Sequence, residues 1–222
     1  MMPIIQLGPE HLPAVIALHH KVLKLLPAKL AAHESDMFFA DHMANCGHIY
    51  GVFQRGELMV YSVLGLPRPN DPNFGCDHNL SAQELADVAH IDGVAVTPAL
   101  RGQGWQRKMI DHRLAAALAA GRPIALSTVA PGNLASLRSL LSCGLTIRGI
   151  AEKFGGVRYL VRRDLLAGAI SRPAISDYET TSGVWWIDLV DLATQSTVLS
   201  RGYIGAGWRV RGGEIQIGYI AE

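Results

Sequence analysis

A glycine-rich turn at Leu100–Gln106 carries the clearest chemical signal in the sequence. An apolar stretch ends at Pro98 just before it, and a helical pattern begins at Gly104. Glycine lets a backbone approach a ligand closely and take positive φ. The first turn of a helix adds unpaired N–H groups at the positive end of the helix dipole. Together these features predict a site for a phosphate or pyrophosphate.

Two common phosphate motifs do not explain this turn. The loop G-x-x-x-x-G-K-[ST] does not occur in the sequence. The dinucleotide pattern G-x-G-x-x-G begins at Gly102 and Gly104, but Arg107 stands where the third glycine belongs. An ordinary tight turn is the structural alternative for the two glycines.

A histidine and a carboxylate precede the turn on the same predicted strand. His90 and Asp92 are two residues apart, so both side chains lie on one face of that strand. The ordinary pKa of histidine suits a general base near neutral pH, and Asp92 could orient His90 or act through water. A core histidine satisfied by hydrogen bonds, with Asp92 at a strand edge, is the alternative.

Two sequence blocks together resemble the GNAT superfamily, the CoA-dependent N-acetyltransferases. The first block is [RQ]-x-x-G-x-[GA] after a strand of V-x-V-x-P type, and Arg101, Gly104 and Val94–Pro98 match it, whereas Gln106 replaces the usual Gly or Ala. The second is N-x-x-[AS] followed by a helix and Gly-Phe, which is similar to Asn133–Ser136 and Cys143–Leu145. The resemblance covers residues 1 to about 164.

The resemblance implies acetyl-CoA as co-substrate and assigns roles by position. The strand at Val94, Ala95 and Val96 would pair with the pantetheine amides. Asn133 would bond the pantetheine arm, with Ser136 near it, although Asn133 could also be a helix N-cap. The residues whose N–H groups would hold the pyrophosphate are Arg101, Gly102, Gln103, Gly104, Trp105 and Gln106.

One departure from the family concerns the general acid. Many members carry a tyrosine eight positions into the second block, which reprotonates the leaving thiolate, and here that position is Leu140. Water or another residue such as Tyr159 would then serve, or turnover would be slow, or the site would bind CoA without catalysis. Among the basic residues near the turn, we expect Arg113 to lie on a solvated helix face.

Alternating patterns predict a mixed α/β sheet flanked by helices. The predicted strands are Ile4–Leu7, His48–Gln54, Glu57–Leu66, Val88–Thr97, Pro123–Val129, Leu145–Ala151 and Val157–Val161. The predicted helices are Pro9–Pro27, Ala32–Asn45, Ser81 to about Asp87, Gly104–Ala120 and Asn133–Ser142.

The chain composition changes after Asp164. We expect a catalytic domain over residues 1–164, a linker over residues 165–183 rich in small residues, and a β-α-β-β appendage over residues 184–222. Its predicted elements are Val184–Ile187, Asp188–Ser200, Tyr203–Val210 and Glu214–Ile220. Two roles stay open for the appendage: a cap over the acceptor cleft, or a contact in a homodimer.

Bulk properties exclude several classes of protein. A net charge of +1 gives no general attraction to nucleic acid or anionic lipid. No apolar run approaches the length that crosses a bilayer, and the N-terminus lacks a signal-peptide pattern. Three widely spaced cysteines favour a reducing cytoplasm, and the histidine spacing predicts no metal site.

The resemblance therefore implies an N-acetyltransferase that uses acetyl-CoA, and the cysteine content favours a cytoplasmic location. The acceptor would be an amine of a small molecule or peptide that attacks directly in a ternary complex. It would lie over the splayed strands, between Ala32–Asn45 and the Pro67–Ala82 loop. A non-catalytic acyl-CoA-binding regulatory protein is the alternative, supported by Leu140 and Gln106.

Overall fold

The structure, a computed structural model, describes residues 2–25, 27, 30, 34–167 and 183–222. Its strands are β1 (Ile5–Leu7), β2 (Gly47–Gln54), β3 (Glu57–Gly65), β4 (Val88–Val96), β5 (Ile124–Val129), β6 (Thr146–Lys153), β7 (Gly156–Asp164), β8 (Trp185–Asp188), β9 (Tyr203–Arg211) and β10 (Glu214–Ala221). The helices are α1 (Leu12–Leu23), α2 (Asp36–Ala44), α3 (Ala82–Leu85), α4 (Trp105–Ala119), α5 (Leu134–Ser142) and α6 (Leu192–Ser200).

The described strands form one mixed sheet with helices on both faces, as the sequence predicts. The strand order is β1-β2-β3-β4-β5-β7-β6-β9-β10-β8, and only β4 and β5 pair in parallel. On one face, α1 and α2 cover β2 and β3 through a cluster that includes Val15, Phe39 and Tyr61. On the other, α4 and α5 bury a larger core that includes Met109 and Leu137.

Strands β4 and β5 part soon after they meet. They pair only where Val88–His90 faces Ile124–Leu126, and the Ser127 hydroxyl donates to the Ile91 carbonyl (2.6 Å) where they diverge. On its other side, β4 carries one more residue than β3 between the pairs Ser62–Val94 and Leu64–Ile91. Such a bulge bends a strand locally, so the second half of β4 leaves a cleft beside β5.

The C-terminal strands extend this sheet. Their β-α-β-β order matches the expectation, and β9 pairs with β6 at Gly205 and Ile147. The hydroxyls of Tyr159 and Tyr219 both donate to Oε1 of the buried Gln195, at 2.7 and 2.9 Å. These bonds connect α6 to β7 and β10. The division into two domains stays a prediction, and most of the expected linker lies outside the described residues.

Some element boundaries differ from the predicted ones for local reasons. The last helix begins at Leu192 because β8 continues through Asp188 and Asp191 caps the helix, accepting from the Thr194 N–H at 3.1 Å. Strand β7 runs to Asp164, beyond the predicted end at Val161, because it pairs along all of β5. None of the described helices is both long and apolar enough to cross a membrane.

Candidate active site

The glycine turn has the geometry that an anion site requires. A 3-10 turn at Pro98–Leu100 leads into Gly102 and Gly104, whose φ angles are +77° and +73°. A Cβ added at either glycine would meet no atom within 4 Å, so this surface is open. Helix α4 begins directly afterwards, and no side chain caps its N-terminus. Its first N–H groups are therefore available to an oxyanion such as a phosphate.

The other turn residues have different environments. The Trp105 side chain is buried in the core, with the Lys108 ammonium 4.5 Å from its ring centroid. Arg101 Nε donates to the Val96 carbonyl (3.4 Å), and the Gln103 amide donates to the Ala99 carbonyl (3.1 Å). Only the backbone of Trp105 can therefore serve a ligand.

A cavity of about 160 Å³ occupies the cleft between β4 and β5. We call it the cofactor cleft. Five of the predicted cofactor-binding residues line it: Val94, Ala95, Gln106, Asn133 and Ser136. Val96 and the turn residues Arg101 to Trp105 do not. The Asn133 carbonyl oxygen caps α5 by accepting from the Ser136 N–H (3.3 Å), and its amide donates to the Leu30 carbonyl (3.2 Å). Asn133 is thus an N-cap that also faces the cleft.

A second cavity of about 310 Å³, which we call the acceptor cavity, joins the cofactor cleft at Asp92. Its walls come from α2 and from the loop after β3, the two segments that the sequence predicts. The residues that line both cavities are Glu34, Phe74, Asp92 and Phe154. Asp92 therefore stands between the cavity that would hold a cofactor and the cavity that would hold an acceptor.

The environment of Asp92 changes its acidity. Burial, followed by the nearby charge of Glu34, raises the pKa of Asp92 from 3.8 to about 7, while Arg113 acts in the opposite direction. Its Oδ2 atom lies 3.8 Å from Nδ1 of His90 and 4.0 Å from Nε2 of His42. A carboxylate with this pKa can accept a proton at neutral pH.

Both ring nitrogens of His90 are accounted for. The Phe74 N–H donates to Nε2 of His90 (3.1 Å), and the two rings stack at 4.1 Å. Because Nε2 accepts a hydrogen bond, the network assigns the ring proton to Nδ1, which faces Asp92. Burial lowers the pKa of His90 to about 3, so the ring is neutral.

The expectation that Arg113 lies on a solvated face is wrong. Arg113 is 1% exposed, and its guanidinium donates to the carbonyls of Asp92 (2.6 Å), Val63 (2.8 Å) and Met109 (3.1 Å). Neither Val63 nor Asp92 has a partner in the β3–β4 register at the bulge, and the guanidinium donates to both carbonyls there. The helical spacing signals this position, because Arg113 lies four residues after Met109 and four before Ala117, both in the core.

Tyr159, the side chain suggested as an alternative general acid, is not placed to act as one, and a core leucine occupies the position of the usual tyrosine. Leu140 is 3% exposed and packs in the core while it lines the cofactor cleft. The Tyr159 hydroxyl donates to Gln195 beneath the C-terminal strands, and burial raises the pKa of Tyr159.

Sequence reasoning missed Glu34 and His42. Both approach Asp92 from outside its strand, so no spacing within β4 could reveal them. The described residues contain no group of three His, Cys, Asp or Glu side chains arranged for a metal.

A comparison with known protein families matches the part of the chain that contains the site. A family model described as "Acetyltransferase (GNAT) family" matches residues 24–145, a range that contains both Asp92 and the glycine turn. No curated protein matches the chain by sequence.

Several solved structures share the fold. An N-acetyltransferase from Staphylococcus aureus Mu50 is 16% identical with a TM-score of 0.57, over 75% of this chain and 99% of that chain. A Salmonella typhimurium structure with its cofactor acetyl-CoA is 20% identical (TM-score 0.55; 74% and 94%). The ribosomal-protein-S18-alanine N-acetyltransferase from Escherichia coli is 17% identical (TM-score 0.52; 77% and 98%). At these identities the likeness concerns the fold.

Proposed function

Because the chain belongs to the GNAT acetyltransferase family, whose co-substrate is acetyl-CoA, we propose that it acetylates an amine of a small molecule or peptide by direct attack in a ternary complex. Asp92 would accept the proton that the amine loses. The observation that carries this proposal is the position of Asp92, with a pKa raised to about 7, where the cofactor cleft meets the acceptor cavity.

Acetyl-CoA would be held by the glycine turn, by β4 and by α5. The N–H groups of Arg101 to Gln106 would hold the pyrophosphate, and the free edge of β4 at Val94–Val96 would pair with the pantetheine amides. Asn133 and Ser136 would contact the same arm from α5.

Bound acetyl-CoA supplies the thioester that the amine attacks. The amine nitrogen gains a bond to the acetyl carbon, the bond from that carbon to sulfur breaks, and its electron pair stays on sulfur.

Asp92 is a better base than His90 in this arrangement. The active form of a general base is deprotonated, and its pKa works best near the operating pH. His90 uses Nε2 to accept from Phe74 and directs Nδ1 toward Asp92. We assign His90 the role of orienting the Asp92 carboxylate.

Arg113 is a positioning residue in this mechanism. Its guanidinium donates to the Asp92 carbonyl (2.6 Å), and its charge keeps the pKa of Asp92 from rising further. The cation thus helps to keep the base active near neutral pH.

The leaving thiolate would receive its proton from water. Leu140 has no proton to donate, and Tyr159 faces Gln195. A thiolate is a tolerable leaving group because thiols ionise near pH 8.5, so a side-chain acid is not essential.

An amine screen tests the proposal. Purified protein is incubated with acetyl-CoA and a panel of amines, amino acids and short peptides, and thiol release is recorded against an amine-free control. We expect release that at least one amine stimulates, with the acetylated product confirmed by mass spectrometry. Asp92→Asn should lose about 10²–10⁴-fold in kcat/KM. A folded protein that binds acetyl-CoA but acetylates no amine would contradict the proposal.

A further inference from the structure

Arg158 carries a buried positive group that the proposed mechanism does not use. It lies on β7, is 4% exposed and lines the cofactor cleft. Its Nη1 donates to the carbonyl of the preceding residue, Val157, at 3.0 Å. Its Nη2 is buried, and no acceptor within the described part of the chain bonds it.

An orphaned guanidinium N–H is unusual, because buried polar groups are nearly always paired. Glu152 is the acidic neighbour whose charge raises the pKa of Arg158, yet Glu152 is exposed and forms no bond with Nη2. Burial lowers the pKa of Arg158, but a guanidinium remains charged in proteins. The group is therefore a buried cation with a spare donor. Within the described residues its one hydrogen bond runs from Nη1 to Val157, and the side chain lines the cofactor cleft.

Strand alternation places Arg158 and Lys153 on the same face of the sheet, and Arg158 lines the cofactor cleft, which adjoins the acceptor cavity at Asp92. Arg158 faces Ala151 across the β6–β7 pair, and Lys153 follows two residues later on the same face. The Lys153 ammonium bonds Asp77 (2.7 Å) and lies 5.8 Å from the centroid of Phe74, a residue that lines both cavities. The next residue, Tyr159, faces the opposite way, toward α6.

The carboxylates around the acceptor cavity differ in their partners. Asp41 and Asp71 contact the Arg68 guanidinium, at 3.8 and 2.9 Å. Within the described residues, the Asp92 carboxylate has no Arg or Lys within ion-pair distance, and its neighbours at that range are His42 and His90. The end of the cavity near Asp92 thus favours a cationic amine, whereas Arg158 favours an anion.

We propose that Arg158 binds a carboxylate of the acceptor, and that the acceptor is therefore an amino acid or a peptide with a carboxylate near the reacting amine. This inference rests on the proposed function. The amine would enter beside Asp92 and the carboxylate would pair with the guanidinium, whose planar fork matches carboxylate geometry. The terminal carboxylate of a short peptide and the α-carboxylate of a free amino acid share this chemistry.

Matched acceptors test the inference. A panel of α- and ω-amino acids, and dipeptides, is compared with the corresponding carboxamides in the thiol-release assay. We expect the best carboxylate to exceed its carboxamide by on the order of 10- to 100-fold in kcat/KM, the effect of charge-assisted hydrogen bonds. Arg158→Gln should reduce this preference to about twofold through the acceptor KM, with an unchanged KM for acetyl-CoA. Arg158→Lys keeps the charge and should retain part of it.

Several outcomes would overturn the inference. Equal rates with carboxylates and carboxamides would do so, and so would a rise in the acetyl-CoA KM of Arg158→Gln with an unchanged acceptor preference, which would assign Arg158 to the cofactor. Unfolding of Arg158→Gln, seen by circular dichroism, leaves Arg158→Lys as the deciding variant.

Failure of the proposed function is recognised separately. If no amine stimulates thiol release, calorimetry with CoA-saturated protein compares N-acetyl amino acids with their amides. Tighter binding of the carboxylates by wild type, lost in Arg158→Gln, would support the inference even then. If wild type and Arg158→Gln each bind the carboxylate and the amide with equal affinity, the inference is rejected.

Discussion

Replacing Asp92 by asparagine should make the protein more stable while it removes the proposed base. The native fold raises the pKa of Asp92 from 3.8 to about 7, so the folded state keeps its proton through a pH range in which the unfolded chain has lost it. Stability therefore falls as the pH rises from about 4 to about 7. At about 1.36 kcal/mol for each pKa unit, the full loss above pH 7 amounts to about 4 kcal/mol.

Asparagine keeps the shape of the side chain and carries no charge, so Asp92→Asn escapes this loss. We expect urea denaturation at pH 8 to give a free energy of unfolding higher than wild type by up to about 4 kcal/mol. At pH 4 the difference should almost vanish, because the native Asp92 is then protonated. A variant no more stable than wild type at pH 8, or a gain in stability that does not depend on pH, would refute the raised pKa of Asp92.

Asp41→Asn is the matched control, with the opposite sign. Hydrogen bonds from Asn45 and Cys46 lower the pKa of Asp41, which lies at the exposed rim of the same cavity. Its carboxylate therefore contributes stability above the ordinary pKa that is lost as the pH falls. Asp41→Asn should not stabilise the protein at pH 8. A gain there would mean that a general charge effect, and not the burial of Asp92, explains the first result.

Substitutions at three further positions address the cofactor turn, the buried guanidinium of Arg113 and the missing general acid. Gly104→Asp should abolish the rise in thermal midpoint that CoA produces by mass action, and an undiminished rise would contradict the pyrophosphate site. The control Gly104→Ala should keep part of the rise, because the added Cβ meets no atom, although φ is +73°. Arg113→Met removes the cation that lowers the pKa of Asp92, so the acid limb of the kcat/KM profile should move to higher pH, by about one unit, and Arg113→Lys should move it less; a fixed limb in folded protein would leave Arg113 a purely structural role. Leu140→Tyr should cost about 1–3 kcal/mol in urea denaturation, because a larger ring overpacks the core; unchanged stability with a higher kcat would mean that position 140 faces the thiolate instead.

Local features of the site could be read from the sequence. The glycine turn follows from residues within one segment, since positive φ and an uncapped helix start depend on Gly102 and Gly104 themselves. The sequence also predicts α2 and the loop after β3 as walls of the acceptor site, and residues of both line the acceptor cavity. The shared face of His90 and Asp92 follows from strand periodicity.

Features that depend on distant residues could not be read in this way. The ring proton of His90 is assigned to Nδ1 because the N–H of Phe74, sixteen residues earlier, donates to Nε2. The hydroxyl of Tyr159 donates to Gln195, thirty-six residues later. The pKa of Asp92 depends on its burial and on the charges of Glu34 and Arg113, and these three residues lie in separate segments of the chain. Arg113 is a different case, because its helical position indicated burial and only its charge suggested the surface.

The pH dependence of acetyl transfer in wild type, Asp92→Asn and His90→Gln tests the central claim most directly. With an amine identified in the screen, kcat/KM is measured from pH 5 to pH 9. A wild-type acid limb with a midpoint near 7, lost together with most of the rate in Asp92→Asn and kept in His90→Gln, is the predicted result. A limb that survives in Asp92→Asn and disappears in His90→Gln would contradict the assignment of Asp92 as the base.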